Sequence, residues 1–145
     1  MRKAEIYIET TIKGPAVKDG TYAATLEYKK KDGECAYLHV KDKESESTYN
    51  RSTLLAIIMA LERVREPCCL LIHTGNSYVA NMIRSGNPEK WKRSEWEKPA
   101  GGEVKNKDLW KLYLELSERH EVEFDVCKQN KFTESLKEFM EAQDV

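Results

Sequence analysis

The sequence predicts an α/β fold: a mixed five-stranded sheet, three antiparallel strands and then two crossover strands, flanked by helices. Three observations carry this. The first forty residues hold three β-like runs separated by turn signals. A stretch with helical spacing follows, in Leu54, Leu55, Ile58, Leu61 and Val64. It leads into a short unbroken apolar run, Cys68 to His73, of the kind that forms a buried parallel strand.

Residues 4–12 alternate in part, with Ile6 and Ile8 against Tyr7 and Glu9, and read as the first strand. Lys13-Gly14-Pro15 breaks it. Residues 21–30 form the second strand and 35–41 the third, joined by a hairpin turn at Asp32-Gly33. Asp42 to Ser47 reads as a polar loop. Ser47 or Thr48 caps the first helix, which ends at Glu66-Pro67 because a residue before proline avoids the α region. Tyr78 to Arg84 is a short helix. Gly86 ends it, Asn87 caps the next and Pro88 suits its first position, with Trp91 and Trp96 both on that helix. Pro99 to Gly102 is a break. Asn106 caps a helix carrying Leu109, Leu112 and Leu116. Val122 to Cys127 is the fifth strand. Phe132, Leu136, Phe139 and Met140 mark the last helix.

The 145 residues suit one domain, 1–145, with a real core. A net charge of −1 argues against a dedicated non-specific nucleic-acid binder, though a local basic patch on a neutral body is compatible with it. No apolar run approaches the roughly 18 residues that span a bilayer, and no apolar signal region opens the chain, so a cytoplasmic location without membrane contact is expected. Cys35, Cys68, Cys69 and Cys127 form no Cys-x-x-Cys motif and read as buried, reduced thiols in strands or at strand edges.

The segment Glu89-Lys-Trp-Lys-Arg-Ser-Glu-Trp96 interleaves tryptophan with basic residues, a pattern suited to a nucleic-acid backbone. Glu89, Glu95 and Glu97 dilute the charge. The competing reading is that the tryptophans pack this helix onto the body.

The element order is β-β-β-α-β-α-α-α-β-α. Together with Trp91-x-x-x-x-Trp96, Val104-Lys-Asn-x-Asp-Leu-Trp110, Thr48-x-Asn50-Arg51 before Ala60-Leu-Glu, and Thr74 followed by Ser77-Tyr78-Val79, it resembles the ribonuclease HI family over roughly residues 4–143. The resemblance implies a ribonuclease H-like fold and hydrolysis of the RNA strand of RNA–DNA hybrids. That chemistry holds two divalent ions roughly 3.5–4 Å apart with about four carboxylates, because Mg²⁺ takes hard oxygen ligands.

Here the sequence departs from the family. The first carboxylate position matches Glu9, which keeps the charge but not the following glycine. The second is Thr53, within Arg51-Ser-Thr-Leu54. The third is Gly75, or Asn76 with a one-residue slip. The fourth is Glu134, near the start of the last helix. Lys128-Gln-Asn-Lys131 stands where the family carries a histidine-bearing loop. His73 is read as a strand-end residue satisfied by backbone.

The resemblance therefore implies catalytic positions Glu9 and Glu134 with degenerate positions Thr53 and Gly75. Glu9 and Glu134 would hold at most one weakly bound Mg²⁺ or Mn²⁺. Residues facing nucleic acid would be Asn50, Arg51, Asn76, Lys90, Trp91, Lys92, Arg93 and Trp96, with Ser77, Lys98 and Lys105 nearby. The leading expectation is a ribonuclease HI-like protein, inactive or strongly impaired, that retains weak recognition of hybrid or duplex. Two alternatives stand beside it. One is a metal-dependent endoribonuclease using Glu9, Asn76 and Glu134. The other is a protein-interaction module, partner unknown, that reuses the fold.

Overall fold

The computed structural model describes residues 1–143; the last two residues of the expected 1–145 span lie outside them. The elements are β1 (Arg2–Thr10), β2 (Lys18–Lys29), β3 (Cys35–Ser47), α1 (Tyr49–Leu61), β4 (Cys68–Thr74), α2 (Ser77–Arg84), α3 (Asn87–Arg93), α4 (Lys107–Ser117), β5 (Glu121–Val126) and α5 (Thr133–Glu141). The expected order holds throughout.

The five strands form one sheet in the order β3-β2-β1-β4-β5. β1 pairs antiparallel with β2 and parallel with β4, and β4 pairs parallel with β5. Period-two alternation sends Ile6 and Ile8 to one face, where they join Ala24, Leu26, Leu70 and Ile72 beneath α1. Tyr7 and Ala23 lie on the other face and take Leu136 from α5. α1 is wedged between the sheet and α4. Its buried residues, Ser52 to Leu54 and Ala56 to Leu61, therefore leave no solvent stripe. Each fully buried Leu or Ile contributes roughly 1.5–3 kcal/mol of transfer free energy.

Several boundaries differ from expectation for identifiable reasons. The charged stretch 42–47 is strand, not loop, because it continues the edge strand's pairing with β2 as far as Lys18↔Ser47. α1 ends at Leu61, ahead of Glu66-Pro67: the Arg63 and Val64 amides make tight bonds to the Ala60 and Leu61 carbonyls (3.0 and 3.1 Å) that turn the chain toward β4. Thr48, not Ser47, caps α1, its hydroxyl accepting from the Arg51 amide at 3.2 Å. Gly86, at φ 72°, both follows α2 and precedes α3, so Asn87 is the first helical residue. Asn106 stands at the N-cap of α4 with a left-handed φ of 61° and makes no side-chain cap bond. Of the cysteines, Cys68 is buried, Cys69 half-buried, and Cys35 and Cys127 are exposed free thiols, since both exposed ones sit at strand ends.

Trp96 does not lie on α3. Glu95 and Trp96 adopt φ of 56° and 65° and reverse the chain. Trp96 and Val104 then close a small hairpin (Val104 N to Trp96 O, 2.9 Å) whose turn runs through Gly101 and Gly102, both at positive φ.

Candidate functional site

β1 and β4 run parallel, so their C-terminal ends meet at one edge of the sheet. The first turns of α1 and α2 meet there too. The Thr10 hydroxyl lies 2.5 Å from that of Ser52, and the Asn76 amide reaches α1. This arrangement places Glu9, near the end of β1, at the same end of the sheet as Gly75 and Asn76, which follow β4, and Asn76 bonds to Thr53 of α1.

What joins α1 to the start of α2 is a neutral hydrogen-bonded cluster. Asn76 is 2 % exposed. Its Nδ2 donates to Asn50 Oδ1 (3.0 Å) and to Thr53 Oγ1 (3.1 Å), and its Oδ1 accepts from the Val79 amide (3.0 Å) as the N-cap of α2. Thr53 passes its own proton to the Tyr49 carbonyl at 2.8 Å. Every polar group of the Asn76 side chain is thereby satisfied internally.

Glu9 stands outside this neutral network as a buried carboxylate, 3 % exposed. Its Oε1 accepts from the Lys13 ammonium and from the Thr10 amide. The same ammonium stands 5.9 Å from the centre of the Tyr49 ring. The Tyr49 hydroxyl reaches Gly75, where an added Cβ would meet it at 3.4 Å. Burial, with the Glu9 charge added, pushes the Tyr49 phenol above its ordinary pKa. An aromatic ring and an ammonium thus stand between Glu9 and Gly75. In the sequence Lys13 stands in a strand break and Tyr49 beside Asn50, and neither position marks this role.

Glu134 faces outward. Its side chain is 78 % exposed and its carboxylate lies 3.7 Å from Lys137. The residues present do not fit a pair of divalent ions. Thr53 and Gly75 bring no charge, Glu9 is already paired, and no group of three or more His, Cys, Asp or Glu side chains among the described residues could hold a metal ion.

His73 is satisfied by side chains rather than backbone. Its Nε2 lies 2.8 Å from Glu5 and its Nδ1 2.9 Å from Asp125, and its ring stacks on Tyr7 (centroids 4.3 Å, planes 3° apart). Lys131, from the segment replacing the family's histidine loop, pairs with Glu27 at 2.7 Å.

The residues expected to face nucleic acid divide into two groups. Lys90, Lys92 and Arg93 are exposed on α3. Lys98 and Lys105 line a groove of about 820 Å³ beside the start of α4, together with Lys107, Lys111, Glu103 and Asp108, and Lys107 pairs with Glu103 at 3.2 Å. Trp96, by contrast, is buried, with Lys111 standing 5.8 Å over its ring, and Trp91 is half-buried against Trp110 at 5.4 Å. The packing role expected as an alternative is the one these two rings occupy. Arg51 is also engaged internally: its Nε meets Glu44 (2.9 Å), while Nη1 and Nη2 fork onto Asp108 (3.1 and 2.9 Å). Asp108 and Glu44 raise the Arg51 pKa above its ordinary value. No described helix is long and apolar enough to cross a membrane.

The fold is that of ribonuclease H-like α/β proteins. LC9-RNase H1, a type 1 RNase H with the type 2 active-site motif, matches with a TM-score of 0.76 at 18% identity, covering 97% of this chain and 69% of that one. The RNase H family model matches residues 2–133, and the chain belongs to that family. It is 36% identical over 124 residues to a ribonuclease H of Xanthomonas campestris pv. campestris (strain 8004), covering 86% of this chain and 78% of the relative. It is 43% identical over 82 residues to a ribonuclease H of Chlorobium luteolum, where the match spans 57% of this chain and 56% of that protein's length.

Proposed function

We propose that this RNase H-family chain binds nucleic-acid duplex, RNA–DNA hybrid foremost, and lacks efficient two-metal hydrolysis. One observation carries the reading: a single buried carboxylate, already neutralised by Lys13, stands where the chemistry needs about four. Two divalent ions bring four positive charges into close quarters. Removing their anionic partners costs several kcal/mol of binding, on the order of that for breaking buried ion pairs.

The binding half of the reading is supported by the groove beside α4, where four lysines outnumber Glu103 and Asp108, and by the exposed cations of α3. Such a surface reads backbone charge and duplex shape rather than sequence. Fluorescence anisotropy against hybrid, duplex RNA and duplex DNA at low salt tests it. Binding to hybrid that weakens steeply with salt is expected, and no binding to any duplex removes the proposal.

The relative named ribonuclease H at 36% identity favours a second reading, a metal-dependent endonuclease in which Glu9 is a ligand. Cleavage of labelled hybrid in Mn²⁺ that disappears in Glu9→Gln would establish that reading over the first.

A further inference from the structure

Lys13 supplies a positive charge at the place where the family's ions would act. Its Nζ donates to the buried Glu9 carboxylate and lies over the Tyr49 ring at 5.9 Å, yet half of the side chain, 50 %, faces solvent. An ammonium carries three N–H donors, and Glu9 takes one. Charge is balanced in both arrangements. Four carboxylates cancel two divalent ions, and here one carboxylate cancels one ammonium. The Tyr49 side chain, running from Lys13 to Gly75, takes up space between them. The uncharged Asn50–Asn76–Thr53 network neither needs nor attracts a cation.

We propose that Lys13 replaces the divalent ions as the cation of this site and grips a phosphodiester of a bound duplex, so that binding is independent of metal. This rests on the duplex-binding reading above. The buried Glu9 orients the ammonium, and Tyr49 limits the directions in which it can move. Lys13 is a binding residue here, with no covalent step assigned to it.

Two measurements decide the matter. In the first, hybrid affinity is compared in EDTA and in millimolar Mg²⁺ at matched ionic strength, for wild type, Lys13→Met, Lys13→Arg and the Glu9→Gln/Lys13→Met double variant. Wild-type affinity is expected not to rise with Mg²⁺, which here only competes for the duplex phosphates. Lys13→Met should lower the slope of log affinity on log salt by about one, and Lys13→Arg should restore it. The double variant leaves no unpaired buried carboxylate, so it reports the same lost contact if Lys13→Met folds poorly. A wild-type affinity that requires Mg²⁺, or an unchanged slope in both Met variants, overturns the inference while leaving duplex binding intact.

In the second, Mn²⁺ binding to protein alone is followed by electron paramagnetic resonance. Wild type should take up no Mn²⁺ at this site, whereas Lys13→Met, which exposes Glu9 to the ion, should gain a weak site that the double variant lacks. This readout stands even if hybrid binding is absent, an outcome that would remove the phosphodiester contact and the duplex reading together. Mn²⁺ bound by wild type and lost in Glu9→Gln overturns the replacement of metal by Lys13.

Discussion

The Asn76 amide donates to the Thr53 hydroxyl across 3.1 Å, tying the N-cap of α2 to the first turn of α1. The same side chain caps α2 through the Val79 amide. Asn76→Ala removes the cap, worth about 1 kcal/mol, and the partner of a buried hydroxyl, worth about 1–2 kcal/mol. A loss of roughly 2–3 kcal/mol in urea unfolding is expected from those two terms together. A change below about 0.5 kcal/mol, the range of ordinary surface substitutions, would show that the cluster does not hold the site together.

Arg51 joins β3 to α4 through Glu44 and Asp108. The forked hydrogen bonds from Arg51 hold the Asp108 carboxyl below its usual range. A carboxylate with a depressed folded pKa contributes stability that is complete above the unfolded value, near 3.9, and is lost as pH falls through the folded one. Asp108→Asn should therefore flatten the acid limb of the stability curve below about pH 4. Asp108 is largely exposed, so solvent screening keeps the gain small. The same variant frees one side of the guanidinium, and tighter hybrid binding is the expected accompaniment.

Trp96 and Lys92 separate packing from binding. Trp96→Ala empties a buried site and should cost about 3–5 kcal/mol. Lys92→Ala should leave stability within about 0.5 kcal/mol while lowering the salt slope of hybrid binding by about one. Chemical denaturation and anisotropy on the two variants check both halves. A Lys92→Ala variant with an unchanged slope would take α3 out of the interface.

His120 is a pH-dependent element away from the site. Its Nδ1 accepts from the Cys68 amide at 3.1 Å, so the ring is neutral there, and its Nε2 is buried without a partner among the described residues. Burial first, and the Arg119 charge second, push its pKa below the ordinary value. The unfolded chain protonates near pH 6.5 and the folded one only at lower pH. The contribution is therefore present above about 6.5 and lost as pH falls toward the folded value. In His120→Asn, whose Oδ1 can still accept from Cys68, the melting temperature should lose part of its dependence on pH below about 6.5.

The strand meander, the buried crossover helix and the Cys68 strand were legible because their apolar spacing is dictated by burial on one or both sides. Thr53 and Asn76 meet through a hydrogen bond and Tyr49 reaches Gly75, both where the element order brings α1 and the end of β4 together. The filling of the site was not legible. That Lys13 returns to Glu9 depends on the path of the bend after β1, and nothing in Lys13-Gly14-Pro15 fixes that path. The sequence points to a helix at Trp96 because Glu95 and Trp96 are residue types that seldom take the positive φ found here. Residues 42–47 resemble a loop in sequence because a charged outer strand has the composition of one.

β3 forms one rim of the sheet for thirteen residues, and its second half carries Lys41, Asp42, Lys43, Glu44 and Glu46. Peptide groups along such a rim would template the addition of foreign strands. The alternating cations and anions make that docking electrostatically awkward from either direction. An apolar strand added there would meet uncompensated charge along the second half of the ribbon, a cost that a rim of uncharged residues would not impose.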